Sequence, residues 1–252
     1  MLEKLFTRYQ DFEIAALLGL AVVFELLEHL RPARPLDRRR SFGLDFLGLL
    51  VAVVSVNVSR LSLFFLLDSL GARDRLAVPA IQSLPSVVKI AGGIVVLDFC
   101  LYWIHRAMHR FDVLWRAHEW HHSIEQLYWF SGLRASFVHI FLYAVPQVVV
   151  PFFVLQATPL EAGIGFALGV FVQFYVHSNL DLGLGPLDGL VISPRYHRIH
   201  HSLTKNRDMN LGTTFTLWDR IFGTYVDPAS VAPGYVLGLG YPKSPARMML
   251  GV

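Results

Sequence analysis

The chain has 252 residues, of which 54% are hydrophobic and 16% charged, against roughly 25% charged in a soluble domain. With nineteen Phe, five Trp and a mean hydropathy of +0.47, it is neither intrinsically disordered nor an ordinary water-soluble globule. The net charge is +3 and Cys100 is the single cysteine, which excludes an intramolecular disulfide, a cysteine-rich zinc site and an iron–sulfur cluster.

In chain order, the first apolar run covers residues 14–30 and carries its acids, Glu25 and Glu28, near its end. It lacks the cleavage pattern of a signal peptide and reads as a retained span. Arg31, Arg34, Arg38, Arg39 and Arg40 follow, opposed only by Asp37. A nucleic-acid patch is one reading of such a run, but its position directly after a span makes the positive-inside rule the better one. The second span covers residues 42–67, with Arg60 near its far end, where a long stem can snorkel. The third is placed at 78–104. From Ser136 to His177 the only formally charged side chain is Glu161. These 42 residues would make about 63 Å of helix, twice the roughly 30 Å hydrocarbon core, so they cross and return as spans 136–155 and 159–177, turning near Pro151 and Pro159.

The expectation is a single domain over 1–252, an all-α integral membrane bundle of four to five spans. With the arginine run in the cytoplasm, the alternation of spans places segments 105–135 and 178–225 in the cytoplasm too, as a histidine-rich cap. Eight of the eleven histidines occupy three short stretches: His105 and His109; His118, His121 and His122; His197, His200 and His201. On a helix, residues spaced i, i+3 and i+4 share a face, so each stretch aims two or three imidazoles together. His177, at the end of the fifth span, is a ninth candidate. A lone HxxxH is weak and reads first as interfacial polar residues at a helix end. Eight or nine imidazoles exceed the four ligands of a structural zinc site, so two metals are implied, drawn from Zn, Cu, Fe and Ni.

These boxes resemble the fatty acid hydroxylase/sterol desaturase superfamily of membrane-bound di-iron oxidases. The likeness runs from Asp98 to Tyr225. It includes Tyr102-Trp-Ile-His105-Arg106, the His177-Ser-Asn179 step, Ser193-Pro194, and the Trp218-Asp219-Arg220-Ile-Phe222-Gly223-Thr224-Tyr225 segment. The resemblance implies an O₂-activating centre with two Fe ions held by His105, His109, His118, His121, His122, His177, His197, His200 and His201. Metal-bound histidines usually pass their other ring nitrogen to an acceptor; Asp98, Glu119, Asn179 and Asp208 are the candidates, and for Asp98 a pairing with Tyr102 or a neighbouring helix is equally open. Arg106 and Arg110 read as anchors to head groups. The implied reaction is hydroxylation, desaturation or oxidative cleavage at a lipid C–H bond.

One departure bears on the branch. Many members carry Arg-x-His-Pro-x-Glu after the second box, where this chain has Arg134-Ala-Ser-Phe-Val-His139. The pattern is closest to the alkylglycerol monooxygenase-like branch. His139 reads as a membrane-interface histidine, with substitution for the missing ligand as the second reading. Trp103, Trp120, Tyr128, Trp129 and Phe130 read as an interfacial belt, with the lining of a lateral entrance for the lipid as the second reading. The GxGxxxG runs at Gly163 and Gly183 do not fit a dinucleotide-binding turn, so electrons are expected from a separate donor: a ferredoxin, cytochrome or reductase. A membrane dinuclear zinc hydrolase and a metal transporter are the rival classes. The first normally mixes more carboxylates into its site, and the second distributes polar ligands through its spans.

Overall fold

Apolar runs of this length must satisfy their own backbone hydrogen bonds inside a bilayer, which leaves helices as the solution for an open chain. The computed structural model describes residues 2–187, 189–203, 208–232 and 234–252, with side chains from Glu13 onward. Helix α1 (Leu2–Leu30) is followed by α2 (Phe42–Ser69), two short helices α3 (Ala72–Leu76) and α4 (Pro79–Gln82), α5 (Ser86–Arg110) and α6 (Asp112–His122). Then come α7 (Phe137–Val148) with a π-helical extension Val149–Val154, α8 (Pro159–His177), and the short helices α9 (Pro194–His200), α10 (Leu217–Phe222) and α11 (Pro245–Leu250). Among the described residues β-pairing is confined to two isolated bridges, Val191 with Phe215 and Ser202 with Leu237. The protein is an all-α multi-pass membrane bundle. Four helices are long and apolar enough to cross a membrane: Phe42–Ser69, Ser86–Arg110, Phe137–Val154 and Pro159–His177.

Two helix pairs frame the bundle. Helix α1 lies along α8, with Phe24 set against Phe171 and Phe174 at ring-centroid distances of 5.8 and 5.9 Å. It turns Ile14, Leu18, Val22 and Leu26 outward. Helix α2 lies along α7, with Phe64 edge-on to Phe152 at 5.6 Å. Helix α5 touches both pairs, packing on α7 and α8.

The third apolar helix begins at Ser86, later than position 78. Pro79 starts α4, and Pro85 forms the N-cap of α5; a proline removes an N–H and disfavours helical backbone in the residue before it. The 25 residues of α5 therefore extend about 37 Å, carrying His105 and His109 in the last two turns beyond a roughly 30 Å hydrocarbon core. The turn expected between Pro151 and Pro159 falls at residues 155–158, where Gln156 adopts φ 46°, and Pro151 itself lies in the π-helical segment. A capping box between Thr158 and Glu161 starts α8, and Glu161 pairs with Lys89 of α5 at 2.7 Å.

Arg60 does not snorkel outward. Its side chain is 12% exposed, pairs with Glu13 of α1 and donates to Gln147 Oε1 of α7 at 2.8 Å. A charge among apolar helices is best placed facing a partner inside the bundle.

Buried carboxylates organise the opposite end. Arg38 donates to Glu25 at 2.8 and 2.9 Å and to Glu28 at 2.7 Å. Glu28 also accepts the backbone N–H groups of Trp129 at 2.9 Å and Asn179 at 2.6 Å. Asp45 accepts from Ser41 and Tyr128, each at 2.8 Å, and pairs with the buried Arg134. The arginine run thus sits at the same end as loop 123–136 and the segment after α8. Trp120, Tyr128 and Trp129 are buried rather than interfacial.

Asp45→Asn leaves the Arg134 guanidinium buried without its counter-charge and is expected to cost about 3–5 kcal/mol. Arg40→Gln, which removes the exposed pair with Asp37, should cost less than about 1 kcal/mol. Thermal unfolding of the detergent-solubilised protein measures both.

Candidate metal centre

Four helices deliver the nine histidines, and their spacing divides them into two groups. His105, His109, His118, His122 and His200 offer ligand nitrogens that all lie within 4.8 Å of one another. His121, His177, His197 and His201 do the same in a second group. Residues i and i+4 lie about 40° apart around a helix, whereas i+3 and i+4 differ by about 100°. On α6 the i,i+4 pair His118 and His122 faces the five-histidine group, and His121 faces the other. On α9 the i,i+4 pair His197 and His201 faces the four-histidine group, and His200 faces the other. Helix α5 adds His105 and His109 to the first group; α8 adds His177 to the second.

Ring orientation is set from behind. His105 Nδ1 lies 2.7 Å from Leu211 O, His121 Nδ1 3.0 Å from Arg134 O, His177 Nδ1 2.8 Å from Gln173 O and His200 Nδ1 3.0 Å from Met209 O. A carbonyl only accepts, so each Nδ1 is the protonated nitrogen and each Nε2 presents a lone pair. His121 Nε2 and His177 Nε2 then face each other at 3.1 Å. Neither can donate to the other.

The residues fit metal ions. The approaches between His105 and His118, His177 and His197, and His197 and His201 are also 3.0–3.1 Å. His200 Nε2 and both nitrogens of His122 are buried without a hydrogen-bond partner. Burial holds His118, His121, His122, His197, His200 and His201 well below the usual histidine pKa, and neighbouring imidazoles lower them further. Neutral rings keep their lone pairs for a cation at neutral pH.

Of the four acidic and amide candidates, Asp208 alone reaches a histidine in the hydrogen bonds seen, with Oδ1 3.2 Å from His109 Nδ1. Asp98 serves a loop instead. It accepts from Thr213 Oγ1 at 2.6 Å, Thr214 N at 2.7 Å, Phe215 N at 3.2 Å and Trp218 Nε1 at 2.8 Å. Tyr102, its alternative partner, bonds Thr224 at 2.9 Å. Glu119 turns away on α6 to Tyr241 and Lys243. Asn179 donates to Arg34 O at 2.8 Å. Arg106 does not reach outward to head groups: it donates to Tyr102 Oη at 2.8 Å and Phe222 O at 3.2 Å. His139 is buried, not interfacial, with Nδ1 3.2 Å from His118 Nδ1.

Other supports lay outside the sequence reading. Asp219 accepts Leu211 N at 2.7 Å, Gly212 N at 2.6 Å, Thr224 Oγ1 at 2.7 Å and Tyr196 Oη at 2.7 Å, so it fixes the loop that orients His105. Gly132 lies against the His177 ring, where a Cβ would collide with it. The Trp218-Asp219 step was visible as a motif; Gly132 had no such signal.

Fold and site together define a membrane helical bundle with two adjoining histidine groups, each able to hold a metal ion. Residues 90–224 match the fatty acid hydroxylase family, and the chain belongs to that family. Among similar curated proteins, the ornithine lipid hydroxylase OlsE of Rhizobium tropici is 33% identical over 174 residues, covering 64% of this chain and 52% of that protein. Human alkylglycerol monooxygenase is 31% identical over 136 residues, or 51% of this chain and 28% of the relative. Human lathosterol oxidase is 30% identical over 147 residues, 57% and 47% respectively. The matched region thus spans about half of the hydroxylase and under a third of the monooxygenase. No solved structure matches the chain. These relatives are lipid-modifying oxidoreductases by name, and they support the same broad class here.

Asp98→Ala releases the loop that carries Leu211 and should lower metal affinity about 10- to 100-fold, read by metal analysis after chelator challenge. The depressed histidines set the direction with pH. Unfolded histidine protonates near 6.5 while the buried rings stay neutral, so their folded state is favoured above that pH and loses stability as pH falls through it. The thermal midpoint should therefore drop between pH 7.5 and about 5.5.

Proposed function

We propose that the chain is a di-iron, O₂-dependent oxidoreductase that hydroxylates a lipid C–H bond in lipid metabolism, with desaturation or oxidative cleavage as variants of the same chemistry. The observation that carries this reading is the pair of facing lone pairs on His121 and His177, set within two adjoining groups of converging ring nitrogens.

His105, His109, His118, His122 and His200 would hold one ion, and His121, His177, His197 and His201 the other. Bound iron would supply O₂ activation and electron transfer, which imidazole alone lacks. The chain's own residues hold the rings neutral and fix their tautomers through the carbonyls of Arg134, Gln173, Met209 and Leu211. They also exclude water: His118, His122, His200 and His201 are at most 1% exposed.

A separate ferredoxin, cytochrome or reductase supplies electrons. The arginine run shares the end of the bundle with the histidines, and the positive-inside rule places that end in the cytoplasm. The hydroxylase and monooxygenase names among the relatives favour insertion of oxygen over removal of hydrogen.

Anaerobically purified protein should contain two irons per chain. Expression should add lipids heavier by one oxygen atom, or lighter by two hydrogens. His121→Ala and His200→Ala, one from each group, should each lower turnover more than about a hundredfold. Fewer than two irons after reconstitution, or full activity in either variant, would overturn the reading.

A further inference from the structure

At the histidine end of the bundle a space opens among polar side chains. A cavity of about 160 Å³ lies between the segment after α1, loop 123–136, α9 and residues 235–237. Arg34, Gln126, Asn179, Arg198 and Tyr235 line it, together with the exposed Glu125. None of these side chains is among the nine histidines or their acceptors.

The buried charge comes first. Arg198 is 4% exposed and donates to Ser178 O at 3.0 Å. Among the described residues no carboxylate forms an ion pair with it, and the exposed Asp181 acts only through space. A guanidinium withdrawn from water calls for an anion. Arg34 brings a second guanidinium to the same space, stacked 4.9 Å from the Tyr235 ring centroid. Glu125 offsets one of these charges, leaving the lining net positive.

The neutral groups narrow the ligand. Asn179 is 2% exposed, and its amide nitrogen donates to Arg34 O at 2.8 Å. That bond assigns Oδ1 as the atom left over, and Oδ1 is buried without a partner. Gln126 Oε1 is buried without one as well, while Tyr235 Oη faces the Arg198 guanidinium. Water satisfies the acceptors but gives the guanidinium groups no counter-charge. A bare oxyanion reverses the problem, setting its lone pairs against Asn179 Oδ1. A ligand that carries both an anionic oxygen group and an N–H or O–H donor satisfies both sets.

Size and place agree with a lipid head. A water molecule takes about 30 Å³ of the liquid, so the space suits a phosphate- or amino-acid-sized group. It borders the segment just after α8 and the middle of α9, the elements that carry His177, His197 and His201.

We propose that this cavity is a head-group site, taking a phosphate or carboxylate against Arg34 and Arg198 and an amino or hydroxyl donor against Asn179 Oδ1. The site deepens the lipid-oxidase reading, on which its role as a substrate anchor rests, by naming the class of lipid: one with an anionic group and a donor in the same head.

The test is binding without turnover. The full chain in detergent is titrated with dihexanoyl phosphatidylethanolamine, dihexanoyl phosphatidylcholine, Nα-octanoyl-lysine and inorganic phosphate, with metal content measured in every preparation. The ethanolamine lipid or the acyl-lysine should bind saturably and at least about tenfold more tightly than the choline lipid, whose head has the phosphate but no N–H. Arg34→Gln should weaken that binding by at least about tenfold, and Asn179→Ala should erase the ethanolamine-over-choline preference. Competition by inorganic phosphate assigns the anionic half to any oxyanion; its failure to compete assigns it to the intact head group, and both results support the site. Equal binding of the two phospholipids, no saturable binding of any probe, or wild-type affinity in Arg34→Gln overturns it. Arg198→Gln is read the same way where its thermal midpoint is unchanged, and Arg34→Gln decides where it is not. A negative result with normal metal content rejects the head-group site and leaves the oxidase reading standing.

Discussion

The centre depends on deciding which nitrogen of each buried imidazole carries its proton. A neutral histidine offers one donor and one acceptor, and only the acceptor can hold a cation. The protein directs the donor outward, to the carbonyls of Leu211, Arg134, Gln173 and Met209 and the carboxylate of Asp208. The bare nitrogens are left converging in two places. Burial reinforces this state, because a protonated ring in that interior would be a charge without water.

A carbonyl can orient a ring only if the loop that carries it is itself held. Three of the four carbonyls lie outside regular helix, and buried carboxylates immobilise the segments around them. Asp98 and Asp219 hold residues 211–218, Asp45 holds Arg134, and Glu28 ties both Trp129 and Asn179 to the end of α1. The acids that interrupt the apolar helices thereby find a use that their membrane setting would otherwise penalise. Support runs from carboxylate to loop backbone to imidazole, and each step takes place at one end of the bundle.

Much of this was legible in the sequence because it obeys helical periodicity. The apolar runs announced the bundle, and the spacings of four residues announced imidazoles on common faces, whereas His121 and His200, expected to aim with their neighbours, turn to the other group. His177 was found through its position at a helix end. The acceptors for the ring nitrogens were mostly missed, because a backbone carbonyl has no residue-type signature: Leu211, Met209 and Gln173 look like any other positions. Asp98 and Glu119 were plausible by chemistry yet point elsewhere, since their orientation is set by loop and C-terminal contacts far away in the chain. Arg60 and His139 were assigned to the membrane boundary from their positions along a helix, whereas lateral packing against α1, α7 and α6 draws them inside. Pro85 shifted the start of α5 for a local reason that was visible in the sequence but was outweighed by the apolar run before it.

Helices α6 and α9 each contribute to both histidine groups, and this sharing acts as a mechanical gauge. The interval between the groups is written in the pitch of two short helices, so neither group can drift without distorting the other. A single residue inserted between His118 and His121 would turn everything beyond it by about 100° and misalign both groups at once. Replacing Glu119 or Trp120 leaves that phase intact. Within this stretch the count of residues carries more information than their identity, and the two groups are inherited together as one indivisible length of helix.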